Sequence, residues 1–463
     1  MKNLKLWSLV CLLACTAGQA SAEKMYKYRV NLKDKEGSAY SVKKPYEFLS
    51  ERAMERRNRQ GISVDESDLP VSRKYVKKLL ATGARLVTSS RWNNTVVLEV
   101  QDTLLMDKVK EMPFVTGVKK VWVQPDSVPA RNAERKKGVT NKIEKTGDYY
   151  GKALRQIAVH GGDSLHAAGF SGKGMHVAVI DAGFYNADEI KLFEKMDLLG
   201  TRDFVNPASD IYAENGHGMM VLSCMAANVE DAFVGTAPEA SFWLLRSEDA
   251  DTEQPVEEDY WAAAIEVADS VGVDVVNTSL GYHAFDEGYA GYRYRDLDGH
   301  TSLMSHSASL AADKGVIVVC SAGNSGRGAW KKMTPPGDSE NVLTVGAMNK
   351  DLVNADFSSI GHTSDGRVKP DVMAVGVASV VSGGNGTVSK GNGTSFASPI
   401  MCGIVACFWQ ACPWLTAKEV IKAVQQAGDR ADFPDNIYGY GVPNLWKAYK
   451  EISHHRATQS FTE

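Results

Sequence analysis

Hydrophobic and polar residues alternate over 26–32 (Tyr-Lys-Tyr-Arg-Val-Asn-Leu), the period-two pattern of a strand with one covered face. A period nearer 3.6 follows Pro70 and predicts a helix over 72–81. Runs at 85–89 and 95–100 flank an Asn93-Asn94 turn, and Asp102 is placed to cap a helix reaching Glu111. The stretch 115–123 then returns as a strand, which completes β-α-β-β-α-β, the order of a small α+β ferredoxin-like domain. An additional helix over 45–60 carries Arg52, Arg56, Arg57 and Arg59 and is expected to present them to solvent. From 125 to 148 the chain is polar, basic and without periodicity, so it is expected to be an exposed linker.

The pattern changes beyond residue 150. Apolar runs at 175–180, 242–245, 273–277, 316–320 and 342–345 are continuous and rich in Val and Ile, as strands covered on both faces must be. Helical stretches at 218–228, 257–270 and 302–314 lie between them. Repeated β-α units predict an α/β domain with a doubly wound parallel sheet, whose functional groups should collect at the carboxyl ends of its strands. The expected division is therefore 23–124, a linker at 125–150, and 151–463.

Lys2 and Lys5, the apolar run 6–14 and Ala20-Ser21-Ala22 predict a signal peptide over 1–22. The run is too short for a membrane-spanning helix, and no transmembrane segment is expected elsewhere. Secretion is the expected destination. A periplasmic protein, or one lipid-anchored through Cys15 of Leu12-Leu13-Ala14-Cys15, is the alternative. In the 463-residue chain, 44% hydrophobic and 23% charged residues describe ordinary globular protein. The formal charge of −4 conceals an asymmetry: 23–150 has 27 Lys and Arg against 17 Asp and Glu, and 151–463 has 23 against 39. An acidic body excludes nucleic acid as the leading partner, and the basic segment before it should be attracted to that body. Cys224, Cys320, Cys402, Cys407 and Cys412 are odd in number, which argues against a disulfide framework and for small core hydrophobes. No Cys/His spacing resembles a zinc site.

Three segments carry candidate chemistry. Val177-Ala178-Val179-Ile180-Asp181-Ala182-Gly183 ends a buried strand on an Asp. Asn215-Gly216-His217-Gly218 opens an apolar helix with a His, and Gly393-Thr394-Ser395-Phe396-Ala397-Ser398-Pro399 places a Ser where a Gly-rich turn enters another helix. Singly these read as a turn Asp, a structural His and an N-cap Ser. Together they stand in the order Asp–His–Ser, and over about 160–450 the chain resembles the subtilisin-like serine proteases, or subtilases. Ala182 and Met219 depart from the usual Thr and small residue at those positions.

The resemblance implies that Asp181, His217 and Ser395 form a triad in which His217 is general base, then general acid, and Asp181 orients it. It implies an oxyanion site made by Asn324, within Ser321-Ala322-Gly323-Asn324, and by the Ser395 backbone N–H. Asn277-Thr278-Ser279-Leu280-Gly281 resembles the strand that pairs with substrate. Ser279, Leu280 and Gly281 would face Ser321, Ala322 and Gly323 across the pocket for the side chain preceding the scissile bond, leaving space for a medium or large apolar group. Residues 23–124 resemble the propeptide of a zymogen, an intramolecular inhibitor cut in the linker. The expected function is a secreted serine endopeptidase acting on proteins or peptides, without a cofactor for its chemistry. An exopeptidase of the same fold, anchoring a free amine on the acidic insertion 282–300, is one alternative. An exported, non-enzymatic binding protein is another. Structural calcium is possible, but Asp296-x-Asp298-Gly299 is only a fragment of a calcium loop and no metal ligand set can be assigned.

Overall fold

The computed structural model describes residues 24–126 and 138–459. The expected leader 1–22 with Cys15, and residues 127–137 of the linker, lie outside the described residues.

In the N-terminal domain, β1 (Tyr26–Leu32), β2 (Arg85–Ser90), β3 (Thr95–Val100) and β4 (Val115–Val123) form an antiparallel sheet in the order β2-β3-β1-β4. Of its helices, α1 (Glu51–Arg59), α2 (Arg73–Leu80) and α3 (Leu105–Lys110), the last two cover one face. Strand alternation decides what each face meets. Val30, Leu32, Val96, Leu98 and Val100 pack against α2 and α3. The opposite face of the same strands, where the sequence places Lys27 and Arg29, is not solvated. It lies on the second domain, with Trp92, Val97 and Val121 joining that domain's core.

The second domain opens with α4 (Leu154–Ala158) and α5 (Gly162–Ala167). Its strands are β5 (His176–Asp181), β6 (Asp197–Asp203), a small hairpin of β7 (Asn228–Val229) and β8 (Phe233–Val234), then β9 (Ser241–Arg246), β10 (Val275–Thr278), β11 (Ile317–Ser321), β12 (Leu343–Met348) and β13 (Val372–Val375), followed by the hairpin β14 (Ser379–Ser382) and β15 (Val388–Gly391). Seven of them form one sheet in the order β13-β12-β11-β10-β5-β9-β6. Every pairing in it is parallel. Helices α6 (His217–Ala226) and α9 (Thr394–Ala411) cover one face, and α7 (Val256–Ser270) and α8 (Leu303–Asp313) cover the other. Val177 and Val179 therefore enter one core while Ala178 and Ile180 enter the second, which is why β5 reads as a continuous apolar run. Helix α9 is apolar all round because the core surrounds it. Helices α10 (Ala417–Gln426) and α11 (Leu445–Gln459) close the chain.

The structure corrects several expectations. Strands β6 and β13 went unpredicted. The first carries Asp197, Arg202 and Asp203 at an edge, and the second has only four residues. The helix expected over 45–60 divides into a 3₁₀ turn at Pro45–Glu47 and α1, because Ser50 caps the Ala53 N–H and restarts it. Asp102 does not cap α3; its carboxylate accepts the Leu104 N–H and α3 begins at Leu105. Half of the basic face of α1 is buried: Arg56 is 1% and Arg57 0% exposed, whereas Arg52 is half-buried and Arg59 is exposed as expected. All five described cysteines are buried and unpaired, as core residues.

Candidate active site

Asp181 is the last residue of β5 and 0% exposed. His217 is the first residue of α6, and its backbone N–H is held by Asn215 Oδ1 at 2.8 Å. Two glycines let these elements meet. A Cβ on Gly218 would lie 2.8 Å from Asp181 Cβ, and Gly183, at φ +149°, would clash with the Asn215 backbone at 2.6 Å if it carried one. The imidazole consequently donates from Nδ1 to Asp181 Oδ1 at 2.7 Å, while the same oxygen accepts the Ala182 N–H at 2.8 Å. That bond fixes the tautomer and leaves Nε2 as the proton acceptor. Behind the pair, buried Arg246 donates to the Ala182 carbonyl at 3.0 Å and to Asp203 at 2.9 Å, bracing the turn after Asp181.

Ser395 lies in the first turn of α9, which Gly393 enters at φ +154°. Pro399, four residues on, has no N–H, so the Ser395 carbonyl lacks its helical donor. Ser279 supplies one: its hydroxyl donates to Ser395 O at 2.9 Å and is itself held by Asn277 Nδ2 at 3.1 Å. Ser398 Oγ donates to Asn277 Oδ1 at 2.7 Å and closes the network. The sequence Ser-x-x-x-Pro thus joins α9 to the end of β10. The Ser395 hydroxyl points to Ser279 O at 3.4 Å, and among the described residues no hydrogen bond joins it to His217.

Asn324, in the turn after β11, accepts the Thr394 N–H at 2.9 Å and the Thr394 hydroxyl at 3.0 Å through Oδ1. Its Nδ2 is turned toward the Gly393–Ser395 bend, 3.7 Å from where a Gly393 Cβ would stand. The six expected pocket residues flank this centre. Ser279, Leu280 and Gly281 run past His217, and Ser321, Ala322 and Gly323 run past Thr394, whose hydroxyl accepts the Gly323 N–H at 3.1 Å.

A cavity of about 420 Å³ opens beside His217, lined by Glu248, Glu253, the Ser279–Leu280–Gly281 segment and Tyr282. Burial pushes Glu248 up to about 7, reinforced by repulsion from Asp181. Burial also raises Glu253 to about 7, with the Glu248 charge adding to it. Glu257, beneath them, is raised well above the carboxylate range by burial and bonds to Tyr282 Oη at 3.1 Å. For His217, burial favours the neutral ring, but the Asp181 carboxylate outweighs it and, with Glu248, raises the imidazole to about 9. Thr394, Glu248, Glu253 and Arg246 were not singled out from sequence. Thr394 stands in a recognised motif and could have been; the acids occupy a loop with no periodic signal.

The insertion 282–300 packs on the start of α7, Tyr289 donating to Gln254 at 3.1 Å and Tyr292 to Glu258 at 2.7 Å. Within it, Asp298 accepts the His300 and Thr301 N–H groups and the Thr301 hydroxyl, and Asp296 accepts the Arg293 N–H, so both carboxylates serve the turn. No group of three or more metal-ligating side chains occurs among the described residues.

The Subtilase family model matches residues 172–441, and the model of the Peptidase S8 propeptide domain of Bacteroidota matches 27–138. Serine protease AprX of Bacillus subtilis is 31% identical over 304 residues, which cover 59% of this chain and 66%, just under two thirds, of AprX. Subtilisin DY of Bacillus licheniformis is 29% identical over 289 residues, covering 61% of this chain and 93% of that protein. Subtilisin E of Bacillus subtilis is 28% identical over 281 residues, 60% of this chain and 66% of its own length. With more than half of its length matched by that family's model and a matching propeptide domain ahead of it, the chain belongs to the subtilases, the Peptidase S8 family of serine peptidases.

Proposed function

We propose that the chain is a secreted serine endopeptidase made as a zymogen. In this reading His217 Nε2 takes the Ser395 proton as Oγ attacks the peptide carbonyl, then returns it to the leaving amine. Asp181 holds the ring and stabilises the imidazolium. Asn324 Nδ2 and the Ser395 N–H receive the oxyanion at the positive end of α9. The observation that carries the reading is the Asp181–His217 bond beside a serine helix to which Asn324 is anchored by Oδ1 alone, with its amide nitrogen turned to the bend.

The same reading divides the chain into a leader over 1–22, a propeptide over 23–124, a processed linker within 125–150 and a catalytic domain over 151–463. Val123 is clamped by Gln254, its N–H donating at 2.8 Å and its carbonyl accepting at 3.1 Å, next to cavity residue Glu253. The chain meets the body again where the Thr140 N–H donates to Asn385 O at 2.9 Å, on the turn leading through β15 to Ser395. These two anchorages favour a cut between 125 and 139. Secretion rests on the leader pattern, with a lipid anchor at Cys15 as its alternative; N-terminal sequencing of the exported protein separates them.

A fluorophosphonate probe should label processed wild type at Ser395, and Ser395→Ala should neither label nor cleave casein. Absence of labelling in wild type would support a non-enzymatic binding protein instead. A second reading, an exopeptidase, is favoured by Glu248 and Glu253, which have the charge to hold a free amine beside His217. Cleavage of an N-acetylated peptide as fast as its free-amine counterpart would exclude it.

A further inference from the structure

Between the two segments that flank Ser395 stands a side chain that neither segment contributes. Gly281, Ala322 and Gly323 by themselves predict room for a medium or large group, but another side chain stands against both glycines. A Cβ on Gly281 would fall 2.2 Å from Thr334 Oγ1 and 3.0 Å from Thr334 Cβ. One on Gly323 would fall 3.2 Å from the same Oγ1 and 3.0 Å from Ser359 Oγ. The space that both glycines leave is already occupied by Thr334, which is 6% exposed.

Thr334 is also held in place. Its N–H donates to Ala322 O at 3.4 Å and its carbonyl accepts the Gly337 N–H at 2.8 Å. The neighbouring Pro335 carbonyl accepts the Tyr282 N–H at 3.2 Å, so the segment is tied to both walls. Ser359 is fixed likewise, its N–H on Gly323 O at 2.9 Å and its hydroxyl accepting the Ser325 N–H at 3.0 Å. Retreat of the backbone at either position would break these bonds, and close-packed interiors resist such shifts.

We infer that Thr334 floors the pocket for the residue preceding the scissile bond and restricts that residue to small, uncharged side chains such as Ala or Ser. The inference rests on the peptidase reading of Ser395. With the acyl carbon on Ser395 Oγ and its oxygen at Asn324, the adjoining side chain must descend between Gly281 and Gly323. There it meets the Thr334 side chain, whose Oγ1 stands against both glycines. A Leu or Phe would press on that side chain, and Thr334 and Ser359 offer a Lys or Glu no counter-charge.

The test uses the full-length chain after self-processing, with tetrapeptide p-nitroanilides differing only in a final Ala, Ser, Leu or Phe, each in blocked and free-amine form. Wild type should show kcat/KM for Ala and Ser at least about 10-fold above Leu and Phe. Thr334→Gly should shift the Phe-to-Ala ratio toward Phe by about 10-fold or more, and Thr334→Val, equal in shape, should retain the wild-type order. Wild type that cleaves Phe as well as Ala overturns the inference even if no variant folds, as does an unchanged ratio in folded Thr334→Gly. Fluorophosphonate labelling of Ser395 keeps the two claims apart. Labelled enzyme with the wrong preference defeats only the role of Thr334, whereas unlabelled wild type defeats the peptidase reading beneath it.

Discussion

Asn324 is gripped by one end: Oδ1 takes two bonds from Thr394, which leaves Nδ2 to act. Asn324→Ala should therefore lower kcat about 10²–10³-fold with KM nearly unchanged, the magnitude known from a subtilisin's own oxyanion asparagine. A loss confined to KM would contradict that role. His217 must be neutral to accept a proton, and the surrounding carboxylates raise it to about 9 against burial. The acid limb of the kcat/KM–pH profile should thus lie above the ordinary histidine value near 6.5. Glu248, itself raised to about 7, is ionised there and stabilises the imidazolium. Glu248→Gln removes that charge and should move the limb to lower pH, and an unmoved limb would show that Glu248 does not act on the ring. The segments carrying Asp181, His217 and Ser395 were legible because short motifs place these residues at element ends, and that of Asn324 because its motif follows β11. Glu248 and Thr334 were not, since only folding brings their loops beside the motifs.

Among elements, α1 shows how far local pattern can mislead. Its four arginines have the composition of a solvated face, and Arg59 does stay exposed, yet Arg56 and Arg57 converge with Arg91, from the turn after β2, on Asp269 of α7. Arg56 Nη2 lies at 2.5 Å, Arg57 Nη2 at 2.8 Å and Arg91 Nη2 at 2.5 Å. Asp68 holds Arg57 through two bonds of 2.9 Å from its own domain, so that group is pre-positioned. Arg52 pairs with Asp274, Arg29 reaches Asp259 at 2.6 Å, and Lys314 reaches back to Asp65 at 2.8 Å. Removing one partner from a buried pair costs about 3–5 kcal/mol, because the other is left uncompensated. Asp269→Ala should then weaken the hold on the cut N-terminal domain by about 10²–10³-fold. Size-exclusion chromatography of processed protein would read this as separation of fragments that co-elute in wild type; co-elution of the mutant fragments would argue that the apolar contact of Trp92, Val97 and Val121 suffices.

At the scale of the whole molecule, the opposed charges of the two halves become an interface rather than a general attraction. Folding the parallel sheet requires pairings distant in sequence, such as β5 beside β10, and a tethered partner that binds α7 and α8 favours the assembled state. Wild type and Ser395→Ala, expressed side by side, should differ in length. The first should begin between 125 and 139, and the second should retain the N-terminal domain. If both chains stay uncut and the wild type is fully active, that domain is a permanent accessory.

Periodicity and motif spacing determined the two-domain plan, the parallel sheet and the ends of β5, α6 and α9 on which Asp181, His217 and Ser395 stand. These follow from local physics: side-chain alternation, caps and glycine turns need only neighbours in the chain. Tertiary structure alone decided where the polar face of β1 and the arginines of α1 go, because a polar side chain is equally compatible with water and with a buried carboxylate. It alone decided the floor of the pocket as well. Glycines at 281 and 323 record that something approaches closely, but only the fold brings Thr334 into the gap and turns apparent space into a limit.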